Sequence, residues 1–336
     1  MPSPRVTLPI CVTTIFALGL VMIFNASSAE VLDHALERST HFALFRQLLY
    51  AVVGSVLAYG CWQLGYRGLL ALSAPMLILT CVLLVLVFVP GFSWAANGAR
   101  RWVRIAGGYT LQPSEFIKYI LPLYCIHHME VWKDARWSRP SLKRLACAVL
   151  IPILLIGLEP DNGTVGIVLM TLMVLAGLYR IPAKYWAAPF LALVLIAGTA
   201  AYQLPYVSGR IQVFLHPELD LLGRGHQPHQ ARIAAGSGGV WGKGPGKSLQ
   251  KLSYLPEAQN DYIAAIYAEE FGFVGVVFLV TLYMAMTYLG LHIGASAKDA
   301  MGFYLASIFT FVLSIQAFLN LGVVSGLLPS TGLNLP

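Results

Sequence analysis

This chain carries little charge. Of its 336 residues, 22 are Lys or Arg and 15 are Asp or Glu, 11% together, against roughly 25% in a soluble domain. A soluble fold so poor in charge would lack the groups that hold its surface in water, which excludes an ordinary cytosolic enzyme and a disordered regulator. Cysteine is scarce too. The five thiols form no CxxC pair and each lies in or beside an apolar stretch, so a secreted disulfide scaffold is excluded and neither metal nor redox chemistry follows from them. The net charge of +7 reads, in so apolar a chain, as cytoplasmic Lys and Arg and not as a nucleic-acid surface. What the chain has in abundance is apolar residues, 57%. That is the composition of an integral membrane protein.

The few charges are clustered, and the intervals between them mark the spans. An apolar helix needs about 20 residues to cross roughly 30 Å of hydrocarbon. Nine such segments are predicted, near 7–26, 47–66, 69–90, 112–129, 144–160, 163–180, 185–205, 262–292 and 300–327. The first is too long for a signal-peptide core and is expected to be retained. The segment at 112–129 contains Glu115 and Lys118 and is the weakest of the nine. With the N-terminus inside, ten Lys and Arg fall in short cytoplasmic segments and five in short outer ones, which supports that orientation. Were 112–129 not to cross, the basic stretch 133–144 would share the outer side with Arg100 to Arg104. The expected fold class is therefore an all-α polytopic membrane protein, one domain, with nine transmembrane helices and a single long extracytoplasmic loop at 206–261.

That loop holds ten charged residues and the glycine-dense stretch Gly236 to Gly246. Trp241-Gly-Lys-Gly-Pro-Gly-Lys-Ser248 resembles a phosphate-binding P-loop, but Trp241 stands where the pattern requires glycine, and no strand-to-helix context surrounds it. A flexible basic loop near a phosphorylated lipid, with Lys243, Lys247 or Lys251 facing the anion, suits it better. His226 and His229 lie three apart with Pro228 between them and no Cys or close carboxylate, an incomplete metal site. Asn25-Ala-Ser27 and Asn162-Gly-Thr164 are formal glycosylation sequons that abut spans and are set aside as chance.

Ionisable groups at membrane depth are costly and mark paired functional or structural sites. In Gln112-Pro-Ser-Glu-Phe-Ile-Lys118, Pro113 suits a first helical turn, so Glu115 and Lys118 share one helix face and neutralise each other. Arg100 and Arg101 sit just before them beside Trp102, Glu159-Pro160-Asp161 turns between two spans, and Leu255-Pro-Glu257-Ala-Gln-Asn-Asp261 closes the long loop. Glu269 and Glu270 follow about two turns deeper. Four segments thus place cations and carboxylates at the outer edge, as an anionic lipid-linked substrate requires.

In these stretches the chain resembles the SEDS family (shape, elongation, division and sporulation). The resemblance runs almost end to end, through Asn97-Gly-Ala-Arg-Arg-Trp102, Gln112 to Lys118 and Leu158-Glu-Pro-Asp-Asn-Gly-Thr164. It continues through Gly236 to Gly244, Gln250-Lys-Leu-Ser-Tyr-Leu-Pro-Glu-Ala258 and Ala268-Glu-Glu-Phe-Gly272, and closes with Gln316, Asn320, Gly322 and Gly326-Leu-Leu-Pro-Ser-Thr-Gly332. The form of Gln250 to Ala258 is closer to the FtsW (division) branch than to the RodA (elongation) branch. Departures are Gln259-Asn260 in place of the family's His-Thr, and Pro228 after His226-Gln227. The family continues past the position of Pro336 into a tenth helix, which the nine spans here lack.

The resemblance implies a peptidoglycan glycosyltransferase of the inner membrane that polymerises lipid II during cell division. It implies Asp261 as general base, with Arg101, Glu115, Lys118, Asp161, Lys243, Lys251 and Glu257 as substrate contacts. Arg101 and Lys118, joined by a divalent cation (magnesium or manganese) as a candidate cofactor, would stabilise the departing pyrophosphate. The implied partners are a class B penicillin-binding protein transpeptidase, other divisome proteins and membrane lipids, with no nucleic acid. Two other readings stay open: a transporter that flips lipid II, which needs polar residues along a path to the cytoplasmic side, and a non-catalytic divisome scaffold.

Overall fold

The computed structural model describes residues 3–34, 42–96, 99–105, 109–134, 138–183, 186–187, 191, 194–195, 198, 205–216, 223, 225–251 and 260–336. Among them the order is α1 (Pro4–His34), α2 (Phe42–Ala71), α3 (Ser73–Leu86), β1 (Ser93–Ala96), β2 (Ala99–Arg104), β3 (Thr110–Leu111), α4 (Pro113–Val131), α5 (Arg139–Leu158), α6 (Asn162–Leu178), α7 (Pro205–Leu215), α8 (His226–Ser237), α9 (Ile263–Ala295) and α10 (Ala300–Val324). Five described helices are long and apolar enough to cross a membrane, and α3 and α6 are shorter apolar helices. The chain is a helical, multi-pass membrane protein.

Three features depart from the sequence-based expectation. The spans at 47–66 and 69–90 are redrawn: α2 runs on to Ala71 through a bend at Gly65 (φ 66°) and α3 has only 14 residues. A positive φ breaks helix geometry at low cost only where no Cβ is present. The stretch 93–111 forms a small antiparallel sheet in the order β1-β2-β3, with Trp94 opposite Trp102 and Val103 opposite Leu111, an element absent from an all-α class. The segment expected to be one long loop contains the helices α7 and α8. The span expected at 185–205 falls mostly outside the described residues.

The chain divides into two compact units, 1–56 with 182–289 and 313–336, and 57–181 with 290–312. In the first, Met22 of α1, Ala231 and Ala234 of α8, Tyr262 to Tyr267, Leu279 and Tyr283 of α9, and Ala317 and Val323 of α10 form the core. In the second, α4 is the most buried helix, with Ile117, Leu121 and Ile126 packed among Leu77 and Leu84 of α3, Ile153 and Ile156 of α5 and Val168 and Leu175 of α6. The buried positions of α3 (Ser73, Leu77, Thr80, Leu84) repeat every three to four residues, the spacing of one helical face. The least apolar expected span is thus the centre of its unit. Its buried lysine, Lys118, is tolerated because protein, and not lipid, surrounds it.

Candidate active site

In the first unit the site begins with a break in a helix. Gly272 of α9 takes φ 64° and ψ −163°, which removes the i to i−4 bonds that would join Phe273 N–H to the Glu269 carbonyl and Val274 N–H to the Glu270 carbonyl. In an apolar surrounding, four unpaired backbone groups would each cost several kcal/mol. The glycine-dense stretch takes them all. Lys243 N–H donates to the Glu269 carbonyl at 3.0 Å and Gly244 N–H to the Glu270 carbonyl at 3.0 Å. Phe273 N–H donates to the Gly239 carbonyl at 2.9 Å and Val274 N–H to the Val240 carbonyl at 3.1 Å. The approach requires glycine, since a Cβ at Gly242 (φ +80°) would lie 2.1 Å from the Glu270 carbonyl oxygen. The stretch expected to be a flexible basic loop is a backbone strap bonded across the break.

The two glutamates before the break are buried, and each meets a lysine of the strap. Glu269 accepts from Lys243 Nζ at 2.6 Å, from Ser248 Oγ at 2.5 Å and from the amides of Leu249 at 3.3 Å and Gln250 at 3.4 Å. Glu270 accepts from Asn25 Nδ2 at 2.5 Å, Lys251 Nζ at 3.1 Å and Ser248 N–H at 3.3 Å. Lys251 Nζ also donates to Asn25 Oδ1 at 2.5 Å and to the Gly246 carbonyl at 2.7 Å, so all three ammonium protons are engaged. Lys243 and Lys251, expected to meet substrate, hold buried carboxylates, whereas Lys247 between them is exposed.

Asp261 lies in the turn that leads into α9 and is partly exposed. Its backbone carbonyl accepts from Asn320 Nδ2 of α10 at 2.9 Å, and the same nitrogen donates to the Leu333 carbonyl at 2.7 Å. A Cβ placed on Gly332 would lie 3.7 Å from Asp261 Oδ2. Next to this turn an apolar cavity of about 460 Å³ is lined by Asn260, Ile263, Tyr267, Ile15, Phe16 and Tyr283 among others. Glu257 lies outside the described residues.

The second unit holds the remaining candidates. Arg101 on β2 donates from Nε to the Glu159 carbonyl at 3.2 Å and from its terminal NH2 to the Pro160 carbonyl at 2.7 Å, tying the sheet to the turn between α5 and α6. Asp161 is the N-cap of α6: Oδ1 accepts from Thr164 N–H at 3.3 Å, while Oδ2 accepts from Ser114 Oγ at 3.0 Å and Gln112 Nε2 at 3.1 Å. The expected pair of Glu115 and Lys118 is present at 2.7 Å on the first turns of α4, with the lysine side chain fully buried and the glutamate 41% exposed. Pro113 opens that helix as its spacing predicts.

Glu159 is the exception. It is 1% exposed, and neither carboxyl oxygen has a hydrogen-bond partner among the described residues. Burial, reinforced by the charge of Asp161 and only partly opposed by Arg101, pushes its pKa up to about 8. At neutral pH it therefore carries its proton.

Among the described residues no three His, Cys, Asp or Glu side chains come together to hold a metal ion. The reason is local: Glu269 and Glu270 are taken by lysines, and Asp161 by a helix cap and two side chains. Among the described residues these engaged carboxylates do not fit a protein-held divalent cation. Sequence reasoning missed Asn25, Ser248, Gln112 and Ser114 as partners of these carboxylates. A polar residue within an apolar span was the available signal for Asn25.

Compared with known proteins, the chain matches the family described as Cell cycle protein (FTSW_RODA_SPOVE) over residues 5–336. It is 35% identical over 334 residues to the probable peptidoglycan glycosyltransferase FtsW of Trichlorobacter lovleyi, covering 97% of this chain and 85% of that one. It is 34% identical over 337 residues to the stage V sporulation protein E of Bacillus subtilis, covering 99% and 91%. Its structure is similar to a chain of a peptidoglycan synthase complex that coordinates polymerization and crosslinking (TM-score 0.74, 29% identity, 98% of this chain and 90% of that one). It is also similar to the rod shape determining protein RodA of Thermus thermophilus (TM-score 0.67, 27% identity, 98% and 88%).

Proposed function

Because the chain belongs to the FtsW, RodA and SpoVE cell cycle protein family, we propose that it is a peptidoglycan glycosyltransferase that polymerises lipid II during cell division. It does so in the bacterial inner membrane, with its N-terminus cytoplasmic and residues 206–261 outside. The charge bias of the short loops supports this orientation. Its partner is a class B penicillin-binding transpeptidase, within a set of other divisome proteins.

The observation that carries the reading is the contrast between the carboxylates of α9 and the one in the turn before it. Glu269 and Glu270 are buried and engaged by Lys243 and Lys251, whereas Asp261, just before the same helix, is partly exposed in a backbone-pinned turn. Asp261 acts as general base. It takes the proton of the acceptor sugar 4-hydroxyl while that oxygen attacks the anomeric carbon of the donor, and the lipid pyrophosphate leaves with the bonding electron pair. An α-linked donor giving a β-linked glycan makes this a single inverting displacement. The apolar cavity beside the turn suits the polyprenyl chain of such a substrate. Within this unit the exposed Lys247, on a strap held in place by the backbone bonds to α9, is a cation for the leaving group. Arg101, Glu115, Lys118 and Asp161 are proposed substrate contacts of the other unit, with Glu115 the most exposed carboxylate among them.

A positioned base typically supplies 10²- to about 10⁴-fold in rate. Purified Asp261→Asn, with its transpeptidase partner and lipid II, is expected to lose polymerisation by about that factor while retaining its melting temperature. Glycan synthesis at the unsubstituted rate would overturn the assignment.

A further inference from the structure

We propose that Asn320 is a positioning residue for Asp261, an inference that rests on the reading of Asp261 as general base. Asn320 is 1% exposed on α10, a mostly apolar helix, where an amide is retained only if it makes bonds that repay its burial. Its two N–H groups are directed at two separate pieces of backbone, the Asp261 carbonyl at 2.9 Å and the Leu333 carbonyl at 2.7 Å. Two carbonyl acceptors on one side of the amide identify the atom between them as nitrogen, and they use both of its protons. One turn earlier on the same helix, Gln316 Nε2 donates to the Asn334 carbonyl at 3.0 Å, and Arg210 donates to the Ser330 carbonyl at 3.0 Å. The segment after α10 is therefore anchored on both sides of Gly332, and Gly332 (φ +69°) lies against the Asp261 carboxylate, where a Cβ would stand 3.7 Å from Oδ2.

Asn320 is the group that joins these two parts. It does not touch the carboxylate. By clamping the Asp261 carbonyl to the anchored segment it sets the direction in which the carboxylate leaves the backbone, and a misplacement of about 1 Å in a reacting group costs up to about 10²-fold. Such a residue acts on the chemical step and not on the hold on substrate.

The test is a double-mutant cycle on the full chain with its transpeptidase partner, with lipid II titrated. Asn320→Ala is expected to lower kcat by about 10- to 100-fold with KM for lipid II unchanged. Asn320→Ser, which keeps one donor, should fall between it and the unsubstituted protein. In the Asp261→Asn background either substitution should cost less than about twofold more, because residues that act as a unit are not additive. A rise in KM at unchanged kcat, or an equal fractional loss in both backgrounds, overturns the inference. If Asn320→Ala does not fold in detergent, Asn320→Ser in the two backgrounds decides by the same criteria. If Asp261→Asn itself polymerises normally, the base assignment fails and this inference with it. If Asp261→Asn is silenced and the Asn320 variants turn over normally, only this inference fails.

Discussion

The two units bury carboxylates in opposite ways. In the first, Glu269 and Glu270 form salt bridges with Lys243 and Lys251, and each collects further donors from Ser248, Asn25 or backbone amides. In the second, Glu159 is buried to the same degree with no bonded partner for either oxygen among the described residues, and burial keeps it protonated. A buried charge is tolerable when opposite charge and donors replace water, and otherwise the group gives up its charge. The first arrangement depends on its paired members. The second depends on pH.

The largest effect should come from breaking the first arrangement. Lys251→Met leaves the buried Glu270 carboxyl without its ion-pair partner, with side-chain exposures of 7% for the lysine and 1% for the glutamate, and should cost about 3–5 kcal/mol. Adding Glu270→Gln to Lys251→Met should recover most of that loss, since the carboxyl that lost its ion-pair partner is gone. Unfolding free energies in mixed micelles measure both. An equal loss in the single and double variants would mean that packing, and not charge, is what Lys251 supplies.

Next comes the strap itself. Gly242→Ala puts a Cβ 2.1 Å from the Glu270 carbonyl oxygen at a backbone φ of +80°. A cost of about 1–3 kcal/mol is expected, together with faster amide exchange at Phe273 and Val274, whose donors depend on the strap. Unchanged exchange there would show that α9 holds its break without it.

A smaller effect, opposite in sign, is expected at Glu159. A carboxyl whose pKa is raised on folding binds its proton more tightly in the folded state, so stability falls as pH rises from the ordinary range near 4.5 to about 8 and is level beyond. Glu159→Gln removes that dependence. It should match the unsubstituted protein at pH 4 and exceed it increasingly up to about pH 8, read as a difference in melting temperature, whereas Glu269→Gln should lose stability throughout. A Glu159→Gln profile parallel to that of the unsubstituted protein would remove the contrast between the units. The smallest effect is expected from Arg67→Ala. Its bridge to Asp299 spans 2.9 Å, but the arginine side chain is 75% exposed, and exposed pairs contribute little. No change in melting temperature outside error is expected.

How much of this was legible in advance depends on range. Pro113 announces the start of α4, and Glu115 and Lys118, three residues apart, meet as the helical repeat requires. Asp161 precedes α6 as a cap, again a local signal. The bend at Gly65 and the short sheet at 93–111 were not legible, because a glycine in an apolar span permits a bend without requiring one. A strand pair of four and six residues leaves no pattern against the apolar background. The helices α7 and α8 were hidden for a related reason: charge and glycine read as loop when the packing that stabilises a short helix is unknown.

Composition alone determined that the chain belongs in a membrane, since too few charges exist to cover a soluble surface. The scarcity of charge also identified the segments in which a site had to lie. Only the tertiary structure decided what those charges do. Glu269 meets Lys243 across 26 residues, Asn25 reaches Glu270 across 245, and Asn320 reaches Asp261 across 59. Pairings at such separations are set by which helix faces pack together, and no local periodicity records that. The same holds for Glu159, whose protonation is a property of what surrounds it and not of its own side chain.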